Sequence, residues 1–299
     1  MSLGRRKVGL TDHARWVFNR MADVYDARPA YPPALLDALC DVAGLAQARL
    51  RAQRPLLAGA ELFHASAAPA RVMDIGAGIG HLALPLAARG VNVTAIEPAI
   101  AMLSRLRENA TTARLSITAL HATAESLPLE LASQDLVVIS DALHFLDAQR
   151  TGLEVARVLS PWGALSLITC ELGDTTYMRQ VVALMEDAVP RRPRALDQTT
   201  VQVAAQAGIQ WSAECVIEDE SPVDHPTLER ILRSISFIGP AMNAERFAVF
   251  RGRVHALPGQ PTWARRFHLR TGFRAPSRRA QIRADRARQA APMANPKVD

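Results

Sequence analysis

The stretch Arg71-Val-Met-Asp-Ile-Gly-Ala-Gly-Ile-Gly-His-Leu-Ala-Leu sets a carboxylate, Asp74, just ahead of three glycines at alternate positions, Gly76, Gly78 and Gly80. Glycines let a backbone turn tightly and approach a ligand closely, and a helix that follows such a turn offers free N–H groups. A pyrophosphate would fit a turn of this kind, but two details argue against it. The spacing is G-x-G-x-G and not the G-x-G-x-x-G of nicotinamide-binding turns, and a carboxylate beside the loop repels a diphosphate while suiting a ligand that carries an ammonium and a sulfonium. A second acid, Glu97, ends the run Val-Thr-Ala-Ile-Glu-Pro, where a carboxylate can accept hydrogen bonds from both hydroxyls of a ribose. The competing reading of both acids is helix capping or solvation at strand ends.

These residues need a sheet to hold them. From Arg71 onward short apolar runs alternate with helical segments, the pattern of a parallel sheet covered on both faces. Strands are expected over 71–75, 92–96, 116–120, 135–140 and 164–169, connected by helices near 80–89, 99–108 and 149–159. Further helices are expected at 175–188, 200–207, 227–237 and 243–255, with strands near 215–218 and 266–271. Residues 11–45 read as two helices joined by Arg28-Pro29-Ala30-Tyr31-Pro32-Pro33, whose prolines stop one helix and start the next. The division expected is an N-terminal cap (1–45), a helical insertion or linker (46–70), a core (71–275) whose segment 171–255 supplies cover helices, and a basic, disordered tail (276–299).

At this point the chain resembles the class I S-adenosylmethionine-dependent methyltransferase family, over roughly residues 14–275. The resemblance rests on the loop Asp74–Gly80, the acid Glu97, the segment Ala124-Glu125-Ser-Leu-Pro, the strand and loop Asp135-Leu-Val-Val-Ile-Ser140-Asp141-Ala-Leu-His144-Phe, and the turn Leu159-Ser-Pro-Trp-Gly163-Ala-Leu, in that order. The N-terminal Ala22-Asp-Val-Tyr25-Asp-Ala-Arg28-Pro-Ala-Tyr31-Pro looks like the small-molecule branch that includes trans-aconitate methyltransferase-like proteins. The resemblance implies an α/β fold, a Rossmann-like seven-stranded, mostly parallel sheet with helices on both faces and a helical cap. It implies S-adenosylmethionine as cofactor and S-adenosylhomocysteine as product, held by Tyr25, Arg28, Asp74, Gly76, Ala77, Gly78, Gly80, Glu97, Pro98, Met102, Ala124, Glu125, Ser140 and Asp141, with no metal. Arg28 would pair with the methionine carboxylate. The sequence departs from the family in the 46–70 insertion, in Trp162 where glycine is usual, and in the tail.

Methyl transfer from a sulfonium is an in-line displacement in which alignment supplies most of the acceleration, so a base is needed only when the acceptor must lose a proton. The resemblance places the loop after the fourth strand beside the methyl group, which makes His144 the candidate base and Asp141 its alternative; a structural role for His144 is the competing reading. His81, His121 and His13 show no partner in the sequence. Tyr177, Trp211 and Phe237 read as core or substrate cover.

Composition narrows the partners. Residues 251–299 hold twelve of the 35 Lys and Arg and two of the 29 acids, so the rest of the chain carries four acids in excess. Nucleic acid as substrate is therefore disfavoured, although RNA or protein methylation guided by the tail, a non-catalytic cofactor-binding scaffold and a nicotinamide oxidoreductase remain as alternatives to a small-molecule acceptor. No apolar run is long enough to span a bilayer, which gives the expectation of a soluble, cytoplasmic protein, and the oligomeric state is left open. Cys40, Cys170 and Cys215 lie far apart in apolar segments and are expected to be reduced core residues.

Overall fold

The computed structural model describes residues 17–52, 68–190 and 196–274. A single turn of helix, α1 (Ala22–Tyr25), precedes the Pro-rich turn, and α2 (Pro33–Ala52) starts on its third proline, where the missing N–H costs nothing. The sheet strands are β1 (Arg71–Ile75), β2 (Asn92–Ile96), β3 (Thr118–Leu120), β4 (Gln134–Ser140), β5 (Leu159–Leu172), β6 (Ile209–Pro222) and β7 (Thr262–Arg274). Their order is β3-β2-β1-β4-β5-β7-β6, with β7 antiparallel to both neighbours and the remaining pairings parallel. Between them run α3 (Ala83–Ala88), α4 (Ile100–Thr112), α5 (Ala148–Val158), α6 (Thr176–Ala188), α7 (Leu196–Ala207), α8 (His225–Arg233) and α9 (Ala244–His255).

The alternation of strand residues decides the layers. Val72, Leu136 and Val138 face α2 and α3 through Leu35, Leu39 and Leu86, while Met73, Ile75, Val137 and Ile139 face α5 and α7 through Val155, Val158 and Val203. A third cluster, of Met178, Val181, Ile231, Leu232, Phe247 and Phe250 with Trp263, binds α6, α8 and α9 into a cover. The central strands β1 and β4 are nearly wholly buried, so their parallel crossovers place the carboxyl ends of β1, β2, β4 and β5 along one rim.

The buried Asp135 locks the far end of the sheet. It accepts from the Arg71 backbone N–H at 3.0 Å, from Arg71 Nη2 at 2.7 Å and Nε at 3.1 Å, and from Ser160 Oγ at 3.3 Å. Arg71 keeps partial access to water, so Asp135→Ala should cost about 2–3 kcal/mol, toward the low side for a broken buried pair. Urea denaturation would read this as a lower midpoint with an unchanged slope.

Several expectations need correction. The helix of the second cap segment does not end near residue 45 but continues unbroken to Ala52, so 46–52 belongs to α2; residues 53–67 and the tail lie outside the described residues. Strands β5 and β7 are about twice the expected length and β6 more than three times, because β7 pairs with β5 and β6 in a long antiparallel ribbon. Cys215 is exposed on the edge strand β6, and Cys40 and Cys170 are half-buried. Trp162, where the resemblance expects glycine, does adopt the left-handed backbone, at φ 70°, a conformation that disfavours a side chain. No helix among the described residues is long and apolar enough to cross a membrane.

Candidate active site

The glycine loop leaves the end of β1 with Gly76, Gly78 and Gly80 all at positive φ (75°, 57° and 94°). Each position has its own reason. A Cβ on Gly76 would lie 2.7 Å from Ala142 Cβ, in the loop after β4, and one on Gly80 would meet Leu84 at 2.9 Å, whereas one on Gly78 would make only an ordinary contact with the Tyr25 ring at 3.7 Å. The N–H groups of Gly76 and Ala77 both donate to Ile96 O, at 2.9 and 3.1 Å, which binds the loop to β2. Helix α3 does not follow at once: it begins three residues after Gly80 and spans six residues.

Glu97 closes the loop from the side. Its Oε2 accepts from Gly78 N–H and its Oε1 from Ala99 N–H, both at 2.8 Å. A carboxylate offers about four acceptor positions, so each oxygen can take one further donor. Asp74, also buried, has one oxygen, Oδ2, without a partner among the described residues. Burial pushes both acids up to about 7, with the Glu97 charge adding to the effect on Asp74 and the backbone N–H groups of Ala99 and Gly78 opposing it on Glu97.

The N-terminal cap lies over this loop as a column. Arg28 sits 4.3 Å from the centroid of the Tyr25 ring, and that ring stacks on His81 at 5.8 Å. Arg28 Nη2 donates to Ser234 O at 2.9 Å and its Nε to Ser234 Oγ at 3.3 Å, just past the end of α8, so the cap reaches the cover. Burial foremost, with the Arg28 charge, lowers His81 to about 4 and keeps it neutral. Tyr31 is hydrogen-bonded to Ser140 Oγ at 2.8 Å, and burial holds its hydroxyl protonated well above the ordinary range. Arg265 on β7 fixes the turn before Tyr31: its Nη1 donates to Pro29 O at 3.0 Å and its Nη2 to Ala30 O at 2.6 Å, while Asp219 pairs with it across the strands.

After β4 the chain turns at Asp141 (φ 50°), whose Oδ1 accepts from Cys170 N–H at 2.8 Å. A 3-10 turn, Leu143–Phe145, then carries His144. Glu125 Oε1 accepts from Asp147 N–H at 3.0 Å, at the start of α5. One cavity of about 950 Å³ joins these parts. Tyr25, Arg28, Asp74, Gly76, Ala77, Gly78, Glu97, Pro98, Met102, Ala124, Glu125, Ser140, Asp141 and His144 line it; Gly80 does not, and its place is in packing. His81, Tyr31 and Arg265 also line it, and the sequence reading assigned none of them a role. Among the described residues no group of three His, Cys, Asp or Glu side chains is placed to hold a metal.

The family described as "Methyltransferase domain" matches residues 73–167. An uncharacterised methyltransferase of Mycobacterium tuberculosis is 34% identical over 169 residues, covering 56% of this chain and 55% of that protein, so the chain matches little more than half the length of such relatives. The malonyl-[acyl-carrier protein] O-methyltransferase of Geobacter sulfurreducens is 34% identical over 190 residues, covering 60% of this chain and 69% of that protein. The chain belongs to the class I S-adenosylmethionine-dependent methyltransferases. A candidate type II methyltransferase from Anaeromyxobacter dehalogenans shares the fold, with a TM-score of 0.51 at 20% identity over 83% of this chain and 99% of that one.

The site of this class I methyltransferase fits its cofactor on its own features. Two buried carboxylates, one with an orphaned oxygen, flank a loop that presents backbone and no competing side chain, which suits a cation without phosphate. The same carboxylates give a pH prediction. Their raised values mean that the folded protein retains protons the unfolded chain releases, so without ligand these groups cost stability as pH rises from about 4 to about 7. A cationic ligand favours the ionised forms, and the rise in melting temperature on adding S-adenosylmethionine should be larger at pH 8 than at pH 6. A thermal-shift series showing equal rises at both pH values would contradict this.

Proposed function

We propose that this protein transfers a methyl group from S-adenosylmethionine to a small molecule held beneath the cap and cover helices. The observation that carries the reading is one shared cavity: the glycine loop, the two buried acids and the β4 loop line it together with residues of α6, α8 and β7, so donor and acceptor would meet in one space. Its volume lies at the upper end of the roughly 300–1,000 Å³ typical of ligand sites, room for more than one partner.

Bound S-adenosylmethionine would supply an electrophilic methyl on a good leaving group. Glu97 would take both ribose hydroxyls on its remaining lone pairs, and Asp74 and Asp141 would set negative charge toward the ammonium and sulfonium, a reading supported by their shared lining of the cavity. Arg28 is placed to meet the methionine carboxylate, with Ser234 fixing its guanidinium. Tyr25 and Tyr31, which line the same cavity, would cover the bound cofactor. His144, on the rim of the same cavity, is placed to take a proton where the acceptor must lose one. One oxygen of Asp141 is engaged by Cys170 N–H, which favours an orienting role for that carboxylate.

Incubation with cofactor labelled in the methyl group and an extract of the source organism, followed by separation of small molecules from protein and RNA, tests the reading. Label in the small-molecule fraction is expected; label confined to RNA or protein would overturn it.

A further inference from the structure

We infer that the acceptor is a neutral molecule with a largely hydrocarbon body, an acyl chain or a ring system carrying one methyl-accepting atom. This rests on the methyltransferase reading above and adds to it the class of substrate.

The cavity is divided in character. On the side of β1, β2 and the β4 loop its walls are mixed: the acids Asp74, Glu97, Glu125 and Asp141 stand among apolar residues such as Ile75, Ile96 and Met102. On the side of β5, α6, α8 and β7 the walls include Leu172, Val182, Ile231, Ile235, Phe237 and Trp263, all but Val182 belonging to or packed against the cover's own core. The polar groups on that side are few, among them the Trp263 indole N–H, which has no partner among the described residues, Ser236 and the carboxylates of Glu171 and Glu186. Most of a polyhydroxylated or highly charged acceptor would therefore lose its water against apolar walls, whereas a hydrocarbon surface gains by leaving water.

Charge narrows the class further. Two arginines line the cavity. Arg265 is already paired with Asp219, and Pro29 O and Ala30 O take two more of its five N–H donors. Arg28 makes no ion pair among the described residues, but it rests on Tyr25, whose ring edge lies 3.7 Å from the Cβ position of Gly78, so it stands on the donor side. The cofactor's own carboxylate would use it. Among the described residues the acceptor side then offers a carboxylate or phosphate no arginine that lacks a carboxylate partner, while Glu171, 3.3 Å from His268, and the exposed Glu186 border it with carboxylates.

The experiment uses the full chain saturated with S-adenosylhomocysteine and the neutral fluorophore N-phenyl-1-naphthylamine as probe. Saturable enhancement is expected, with 1-decanol displacing the probe at about tenfold lower concentration than decanoate, and glucose not displacing it. Val182→Asp, at a half-buried wall position, should weaken the probe about tenfold while S-adenosylhomocysteine affinity by calorimetry stays within about twofold. If S-adenosylhomocysteine binds but the probe does not saturate, or if decanoate or glucose competes as well as decanol, the acceptor class is wrong and the methyltransferase reading survives. If S-adenosylhomocysteine itself does not bind, both fall.

Discussion

Replacing Glu97 with glutamine should weaken S-adenosylhomocysteine binding about 100-fold, close to 3 kcal/mol. The carboxylate has two tasks that an amide cannot share. It accepts the N–H groups of Gly78 and Ala99, one on each oxygen, and so fixes the glycine loop against β2. It also offers remaining lone pairs to the two ribose hydroxyls. Glutamine keeps the shape but turns one acceptor into a donor that faces a backbone N–H, and a hydrogen bond to a charged group is worth more than one to a neutral group. Glu97→Asp keeps the charge with a shorter reach and should recover part of the affinity. Calorimetry decides: a loss of threefold or less in Glu97→Gln would mean that the ribose is held elsewhere.

Arg265→Met should lower the unfolding free energy by about 3 kcal/mol. The substitution keeps an apolar stem over Phe267 but leaves Asp219 and the carbonyls of Pro29 and Ala30 without their donors, at a site where Arg265 is only 8% exposed. The lower end of the range for broken buried pairs applies because Asp219 is 22% exposed and can recover some water. The same change frees the Pro-rich turn that positions Arg28 and Tyr31, so S-adenosylhomocysteine affinity should fall with stability. A double variant with Asp219→Leu should be more stable than Arg265→Met alone, because the uncompensated carboxylate is gone; urea denaturation of both proteins provides the comparison.

How far these features could be read from the sequence follows from their range along the chain. Strands β1 and β2 have the bounds expected from their apolar runs, since a strand buried on both faces is a local pattern. The placement of Asp74, Gly76, Gly78 and Glu97 was legible for a related reason: they sit within one strand-helix-strand unit. By contrast, β6 is an edge strand with mostly exposed residues, and no apolar run marks its full length or warns that Cys215 faces solvent. The pairing of Arg265 with Asp219 depends on the β6–β7 register, in which the two stand opposite each other, and that register is invisible before the ribbon is built. His81 lacked a partner in the sequence because its partner, Tyr25, comes from the cap, and only the fold stacks them. For Tyr31 a signal was present: it lies in the same Arg-Pro-Ala-Tyr-Pro motif as Arg28, and its link to Ser140 could have been sought there.

The central claim is that this loop and its two acids hold a cationic, phosphate-free methyl donor and not a dinucleotide. Parallel calorimetric titrations with S-adenosylhomocysteine and with NAD test it most directly. The structure predicts saturable one-site binding of S-adenosylhomocysteine and no heat with NAD; binding of NAD without binding of S-adenosylhomocysteine would contradict it.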